Sequence, residues 1–163
     1  AILKKVLAVD RRYSAVEIFG GAPFARMDIF EIIRKIPSSF DINIHSNARV
    51  FAYPGLAREL KGYNIACVKV AVFSLDKHRY EAVTGVAGSF VQAMAGVKNL
   101  CAAGIPVGVA IPAAEARGNW RALVSLGVSS ISVYTVAKRQ PLPDCALCFG
   151  RKIETMKLLW LRS

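Results

Sequence analysis

The sequence predicts an α/β domain built on one parallel sheet, with about five strands alternating with helices. Three observations carry this. Short runs suited to buried strands recur at Ala15–Phe19, Asp41–His45, Cys67–Phe73, Pro106–Ile111 and Ser130–Val136. Stretches with helical apolar spacing separate them, which calls for the right-handed crossovers of a parallel sheet. A Gly-Gly turn, Gly20-Gly21, follows directly on the first run, and Pro23 fixes its exit. Glycine carries no Cβ, so a ligand can approach the backbone amides and carbonyls of such a turn closely.

The elements follow in order. Ala1 to Val9 is apolar at Ile2, Leu3, Val6 and Leu7, a helical spacing with Lys4 and Lys5 outside it. After the first strand and its glycine turn, Asp28 and Glu31 make a capping-box-like start. Ile29, Ile32, Ile33 and Ile36 then form one face until Pro37 ends the helix. The second strand leads into the loop Ser46-Asn47-Ala48-Arg49. Pro54 sits where a helix favours its first residue, Leu56 and Leu60 face inward, and Gly62 closes that helix.

The third strand ends at Ser74-Leu75-Asp76, and a short polar helix or turn spans Lys77 to Gly85. Ser89 is read as the cap of the longest helix, whose inward face is Phe90, Ala93, Met94, Val97, Leu100 and Cys101, with Gly104 as its stop. Asn119 is read as the cap of a short helix through Leu126, and Gly127 ends it before the fifth strand. Pro141-Leu142-Pro143 separates the domain at 1–137 from a basic extension at 138–163. In that extension Ile153, Met156, Leu159 and Trp160 predict a C-terminal helix over Lys152–Ser163.

Composition narrows the function classes. At 163 residues, 54% of them apolar, the chain suffices for one domain with its own core and is not of disordered type. No apolar run is long enough to span a bilayer as a helix; Leu100 to Ala114 is interrupted by Pro106 and Pro112. The net charge of +11 suits a polyanion such as RNA, although no basic block exceeds two residues in a row. Cys67 and Cys101 fall in apolar patterns and read as buried thiols, which fits a reducing compartment, cytoplasmic or organelle matrix. Cys145 and Cys148 form a lone CxxC, half of a zinc or auxiliary cluster site.

Taken together, several segments resemble the radical S-adenosylmethionine (radical SAM) enzymes. Phe19-Gly20-Gly21-Ala22-Pro23 resembles the GGEP motif of that family. His45-Ser46-Asn47-Ala48-Arg49-Val50-Phe51 resembles the loop often read there as Thr-Asn-Gly or Ser-Asn-Gly. Val72-Phe73-Ser74-Leu75-Asp76 and Tyr80-Glu81-Ala82-Val83-Thr84-Gly85 are similar to the segments that follow, over roughly residues 1 to 136. The resemblance implies a partial parallel (βα) barrel and SAM as cofactor, with Gly20, Gly21, Pro23, Asn47 and Ser74 as the binding residues.

Two departures qualify what the resemblance implies. The family holds a 4Fe–4S cluster on a CxxxCxxC loop, because soft anionic sulfur stabilises iron in both redox states. No such motif occurs in these residues, so a cluster is not expected of this chain. Ala22 stands where the family has the glutamate that helps bind SAM's amino group. The loss is worth on the order of 1.5–3 kcal/mol for a charge-assisted hydrogen bond.

The expectation is therefore a catalytically silent binding or scaffold module. A fragment of an active radical SAM enzyme and a polyanion-binding domain stand as alternatives. Among the other candidates, His45 reads as a structural strand-end residue and His78 as a surface one. Asp76 and Glu81 take helical roles; Arg117, Trp120 and Arg121 suit base stacking with phosphate contact, with packing of Trp120 in the core as the favoured alternative. With the family's first strand missing, the edge of Ala15–Phe19 lies open. It calls for cover by the chain's own N-terminal helix, a protein partner or a second copy.

Overall fold

The computed structural model describes residues 13–20 and 22–135, and the backbone of 157–161. Strand β1 (Ala15–Gly20) is followed by a 3-10 turn at Pro23–Ala25 and helix α1 (Ile29–Arg34). Strand β2 (Asp41–Ser46) leads through a second 3-10 turn, Arg49–Ala52, into α2 (Pro54–Leu60). Strand β3 (Ile65–Ala71) precedes α3 (Lys77–Thr84) and the long α4 (Ser89–Ala102). Strand β4 (Val107–Pro112), short helices α5 (Ala113–Ala116) and α6 (Trp120–Ser125), and β5 (Ser130–Tyr134) complete the series. The five predicted strands are all present, with ends within two residues of the expected ones.

All strands run parallel in one sheet ordered β5-β4-β3-β2-β1-β6, where β6 is Lys157–Leu161. Alternation divides the sheet into two faces. Val16, Ile18, Ile42, Ile44, Val68, Val70, Val107, Val109 and Ile111 lie on one of them, fully or almost fully buried. They form a single core with Ile32 and Ile33 of α1, Leu60 of α2, Val97 and Leu100 of α4 and Leu123 of α6. The other face, the inner one of a partial barrel, carries Glu17, Asn43, His45, Cys67, Lys69, Gly108 and Ser130, placed side by side by the register.

The extension departs from expectation. Lys157–Leu161 is a strand rather than part of a helix, and it pairs with β1 from Val16↔Lys157 to Gly20↔Leu161. A five-residue apolar run serves either element, and the hydrogen-bonding edge of β1 decides in favour of the strand. The edge at Ala15–Phe19 is thus not open: the chain's own β6 occupies it. The remainder of the extension and the Ala1–Val9 helical pattern lie outside the described residues.

Three of the predicted caps also change. Gly88, in the left-handed region, is the N-cap of α4, and the Ser89 hydroxyl bonds Thr84 Oγ1 at 2.7 Å. Asp28 precedes α1 but gives its carboxylate to Arg26. Asn119 precedes α6 without a side-chain cap bond, and its amide donates to the Glu115 carbonyl.

Candidate functional site

In parallel α/β sheets, ligands bind outside the carboxyl ends of the strands. Four predicted positions, Gly20, Pro23, Asn47 and Ser74, lie at or just after those ends. Gly20 ends β1, Ala22 is exposed, and Pro23 is buried at the start of the 3-10 turn that the Ala25 amide closes onto the Ala22 carbonyl at 2.9 Å. Gly21 lies outside the described residues. After β2, Ser46 Oγ accepts from the Ala48 amide at 3.0 Å and Asn47 Oδ1 from the Arg49 amide at 3.1 Å. Asn47 is exposed, so its amide remains available to a ligand while its oxygen shapes the loop.

Ala48 adopts φ 59°, a left-handed conformation that favours glycine, where the family pattern has glycine. Helix α4 holds it there. A Cβ on Gly96 would fall 1.9 Å from the Ala48 carbonyl oxygen, so only glycine lets the helix approach this closely. Asn99 Nδ2 adds bonds to the carbonyls of Phe51 at 2.8 Å and Ala52 at 3.1 Å, and Arg49 reaches Gln92 at 2.9 Å.

Ser74, after β3, is buried rather than presented. Its hydroxyl accepts from the Asp76 amide at 3.0 Å and donates to Glu115 Oε2 at 2.7 Å, while Arg79 holds the other Glu115 oxygen at 2.9 Å. Asp76 caps α3 by accepting from the Arg79 amide at 2.9 Å, and that bond holds its carboxyl below the usual range. Glu81 accepts from the Gly88 amide at 3.0 Å.

One cluster has no counterpart in the sequence expectations. Glu17, 1% exposed, accepts from Lys69 Nζ at 2.5 Å with one oxygen and bonds His45 Nε2 with the other. Burial alone would push the Glu17 carboxyl up. Hydrogen bonds from His45 and Lys69, together with the Lys69 charge, outweigh it and hold the group below the usual carboxylate range. The Phe19 ring stands edge-on to His45 at 6.1 Å. Beside Lys69, a Cβ on Gly108 would come within 2.8 Å of Ser130 Oγ and 3.3 Å of Cys67 Sγ, so glycine leaves this face room for its polar groups. The signal was present in the sequence: Glu17 and Lys69 are lone charges inside apolar strands, at positions that alternation puts on one face.

The other candidates separate. His78 is exposed on α3. Trp120 is 56% exposed with the Arg121 guanidinium 5.5 Å from its ring centre, which corrects the core reading. Leu123 takes the inward place on α6 because the helix is short and its first turn lies outside the core. Cys67 is buried on the inner face; Cys101 is half-buried beside Gly127, and burial pushes its thiol up. Cys145 and Cys148 lie outside the described residues. Among the described residues no group of three His, Cys, Asp or Glu side chains converges to hold a metal. Two cysteines so placed do not fit a 4Fe–4S cluster, which needs converging thiolates. At the carboxyl edge, Gly20 ends β1 and the Asn47 side chain is exposed. Among the described residues no helix is long and apolar enough to cross a membrane.

Comparison with known proteins agrees with this architecture. The model of the Radical SAM superfamily matches residues 1–113. A "Probable GTP 3',8-cyclase" of Methanocella arvoryzae is 28% identical over 103 residues, covering 62% of this chain and 33% of the relative. One of Pyrococcus abyssi is 37% identical over 71 residues, covering 43% of this chain and 22% of the relative. The chain therefore spans a third or less of the length of these curated relatives. Among solved structures, Streptococcus suis SuiB bound to S-adenosylmethionine superposes with a TM-score of 0.64 at 14% identity, over 77% of this chain and 30% of that one. A second structure of SuiB gives 0.62 at 16% identity, over 78% and 32%.

Proposed function

The chain belongs to the radical SAM superfamily, and on that premise we propose that these 163 residues form a binding module that holds S-adenosylmethionine at the carboxyl edge of β1–β3 without cleaving it on their own. The observation that carries the reading is the contrast between two parts of the site. The loop after β2 is fixed by Ser46, Asn47, Gly96 and Asn99, and Pro23 is buried at the turn after β1. The described cysteines lie elsewhere, on the sheet and on α4, and Ala22 offers no carboxylate to the ligand's amino group.

In this reading the Gly20 backbone and the Asn47 amide orient the ligand's polar groups, and Ser74 serves as a latch between β3 and Glu115. The 4Fe–4S cluster that supplies reductive cleavage in the superfamily has no ligand set among the described residues, so no step is assigned to it. The second reading, a portion of a working radical SAM enzyme, is favoured by the share of the relatives' length that the chain spans.

Anaerobic reconstitution of the chain with iron and sulfide, followed by SAM titration in a calorimeter, separates the two. Saturable SAM binding with no 5′-deoxyadenosine released supports the module. A cluster absorbance band with 5′-deoxyadenosine production overturns it in favour of the second reading. Absence of SAM binding refutes the module reading.

A further inference from the structure

The Glu17–His45–Lys69 cluster is more than a buried ion pair, because its third member reaches the surface. Lys69 is 8% exposed and Glu17 1%, whereas the His45 side chain is 35% exposed. His45 is the penultimate residue of β2, one position before the level of Gly20. Its ring therefore borders the same carboxyl edge as the glycine turn.

The tautomer follows from donor counting. Lys69 can only donate, and a carboxylate can only accept, so Glu17 takes a hydrogen from Lys69 at one oxygen and from His45 Nε2 at the other. With Nε2 carrying the hydrogen, a neutral His45 has its lone pair on Nδ1. That nitrogen has no hydrogen-bond partner among the described residues. A carboxylate fixing one ring nitrogen so that the other faces a ligand is the arrangement by which imidazoles are oriented for proton transfer or ligand binding. Phe19, edge-on at 6.1 Å, limits the ring's freedom to turn.

Charge decides the class of ligand. Lys69 is engaged by Glu17, so with His45 neutral the cluster carries no net charge, and no cation is left over for a phosphate. We propose that His45 Nδ1 is a proton acceptor presented on the inner face, positioned by Glu17, for an uncharged N–H or O–H donor group of a substrate seated beside the Gly20 turn. The placement of that substrate rests on the radical SAM reading above. The tautomer and its exposure do not.

The test exploits the presence of two histidines, His45 and the exposed His78, in the whole chain. Long-range 15N–1H spectra of the ligand-free protein should show His45 fixed as the Nε2–H form, with His78 averaging between forms. In Glu17→Gln, whose carboxamide both donates and accepts, that fixation should loosen while His78 is unchanged. Diethyl pyrocarbonate, which acylates unprotonated imidazole nitrogen, should label His45, as peptide mapping by mass spectrometry would report. A His45 fixed as Nδ1–H, a His45 averaging like His78 in the wild-type chain, or one inert to the reagent under conditions that label His78 overturns the proposal, whatever the fate of the variant.

Guanosine and inorganic tripolyphosphate then serve as probes of ligand class. Protection of His45 by millimolar guanosine but not by tripolyphosphate supports the assignment. Protection by tripolyphosphate, or by neither, overturns the donor-group assignment. Since no SAM is present in these arms, failure of SAM binding sinks the earlier reading and the substrate's placement, and leaves the His45 tautomer and its ligand class standing.

Discussion

Replacing Gly96 by alanine gives a direct test of how the Asn47 loop is held. The new Cβ would lie 1.9 Å from the Ala48 carbonyl oxygen, where real contacts stay above 3.0 Å, so backbone must retreat by the difference, 1.1 Å. The yielding atom belongs to a peptide already in the left-handed region and tied on both sides by Ser46 and Asn47. Overpacking of this kind costs about 1–3 kcal/mol, and a backbone clash belongs at the upper end of that range. Alanine returns about 0.8–1 kcal/mol of helix propensity. The net loss is about 2 kcal/mol, or a melting temperature lower by about 4–8 °C for a chain of this size. Gly55 in α2, with nothing within 4 Å of its Cβ position, is the control. Gly55→Ala should stabilise by about 0.4–1 kcal/mol. Urea denaturation followed by circular dichroism, with SAM calorimetry alongside, reads both variants. A Gly96→Ala protein as stable as wild type, with SAM affinity intact, would refute the claim that α4 positions the loop.

Further outcomes follow from the same geometry. Lys69→Met leaves a buried carboxylate with only His45 and should cost about 3–5 kcal/mol, while the double variant with Glu17→Gln should recover much of it. A single-variant loss below about 0.5 kcal/mol would show that the pair is not desolvated as described. The folded-state pKa of Glu17 lies below its reference of 4.5, so its contribution is fully present above that pH and is lost as the pH falls through the folded value. The stability gap between wild type and Glu17→Gln should therefore narrow on acidification, and a gap that widens contradicts the sign. Restoring a carboxylate by Ala22→Glu should tighten SAM binding about tenfold or more in calorimetry, given about 1.5–3 kcal/mol for a charge-assisted bond. No gain would remove the turn from the ligand's amino group. If the +11 charge serves a polyanion, RNA affinity should fall steeply and linearly with the logarithm of salt; a flat dependence excludes phosphate contacts.

Much of the fold was legible because parallel strands and their crossover helices follow local rules. Ile29, Ile32 and Ile33 recur at helical spacing and are buried together, and Pro54 starts α2 where the sequence places it. What escaped depended on partners distant in sequence. Nothing local in Lys157–Leu161 distinguishes a helix from a strand; the edge of β1, far back in the chain, decides it. Trp120 looked like core because it is large and apolar, but its helix sits at the rim and Leu123 fills the inward place. The positions of Asn47 and Ser74 were readable, whereas the burial of Ser74 under Glu115 was not, since that bond joins residues 41 apart. Glu17 and Lys69, whose meeting is separated by 52 residues, look like two isolated oddities until the register brings them together through His45.

The pairing of β6 with β1 also bears on biosynthesis. Ala15–Gly20 is synthesised well before Lys157–Leu161, the segment that completes its hydrogen bonding. Until then the nascent domain displays a ready template for strand addition, at a stage when neighbouring chains on the same message are close. Lys157–Leu161 therefore acts late, and a product stalled before residue 157 should be the aggregating species.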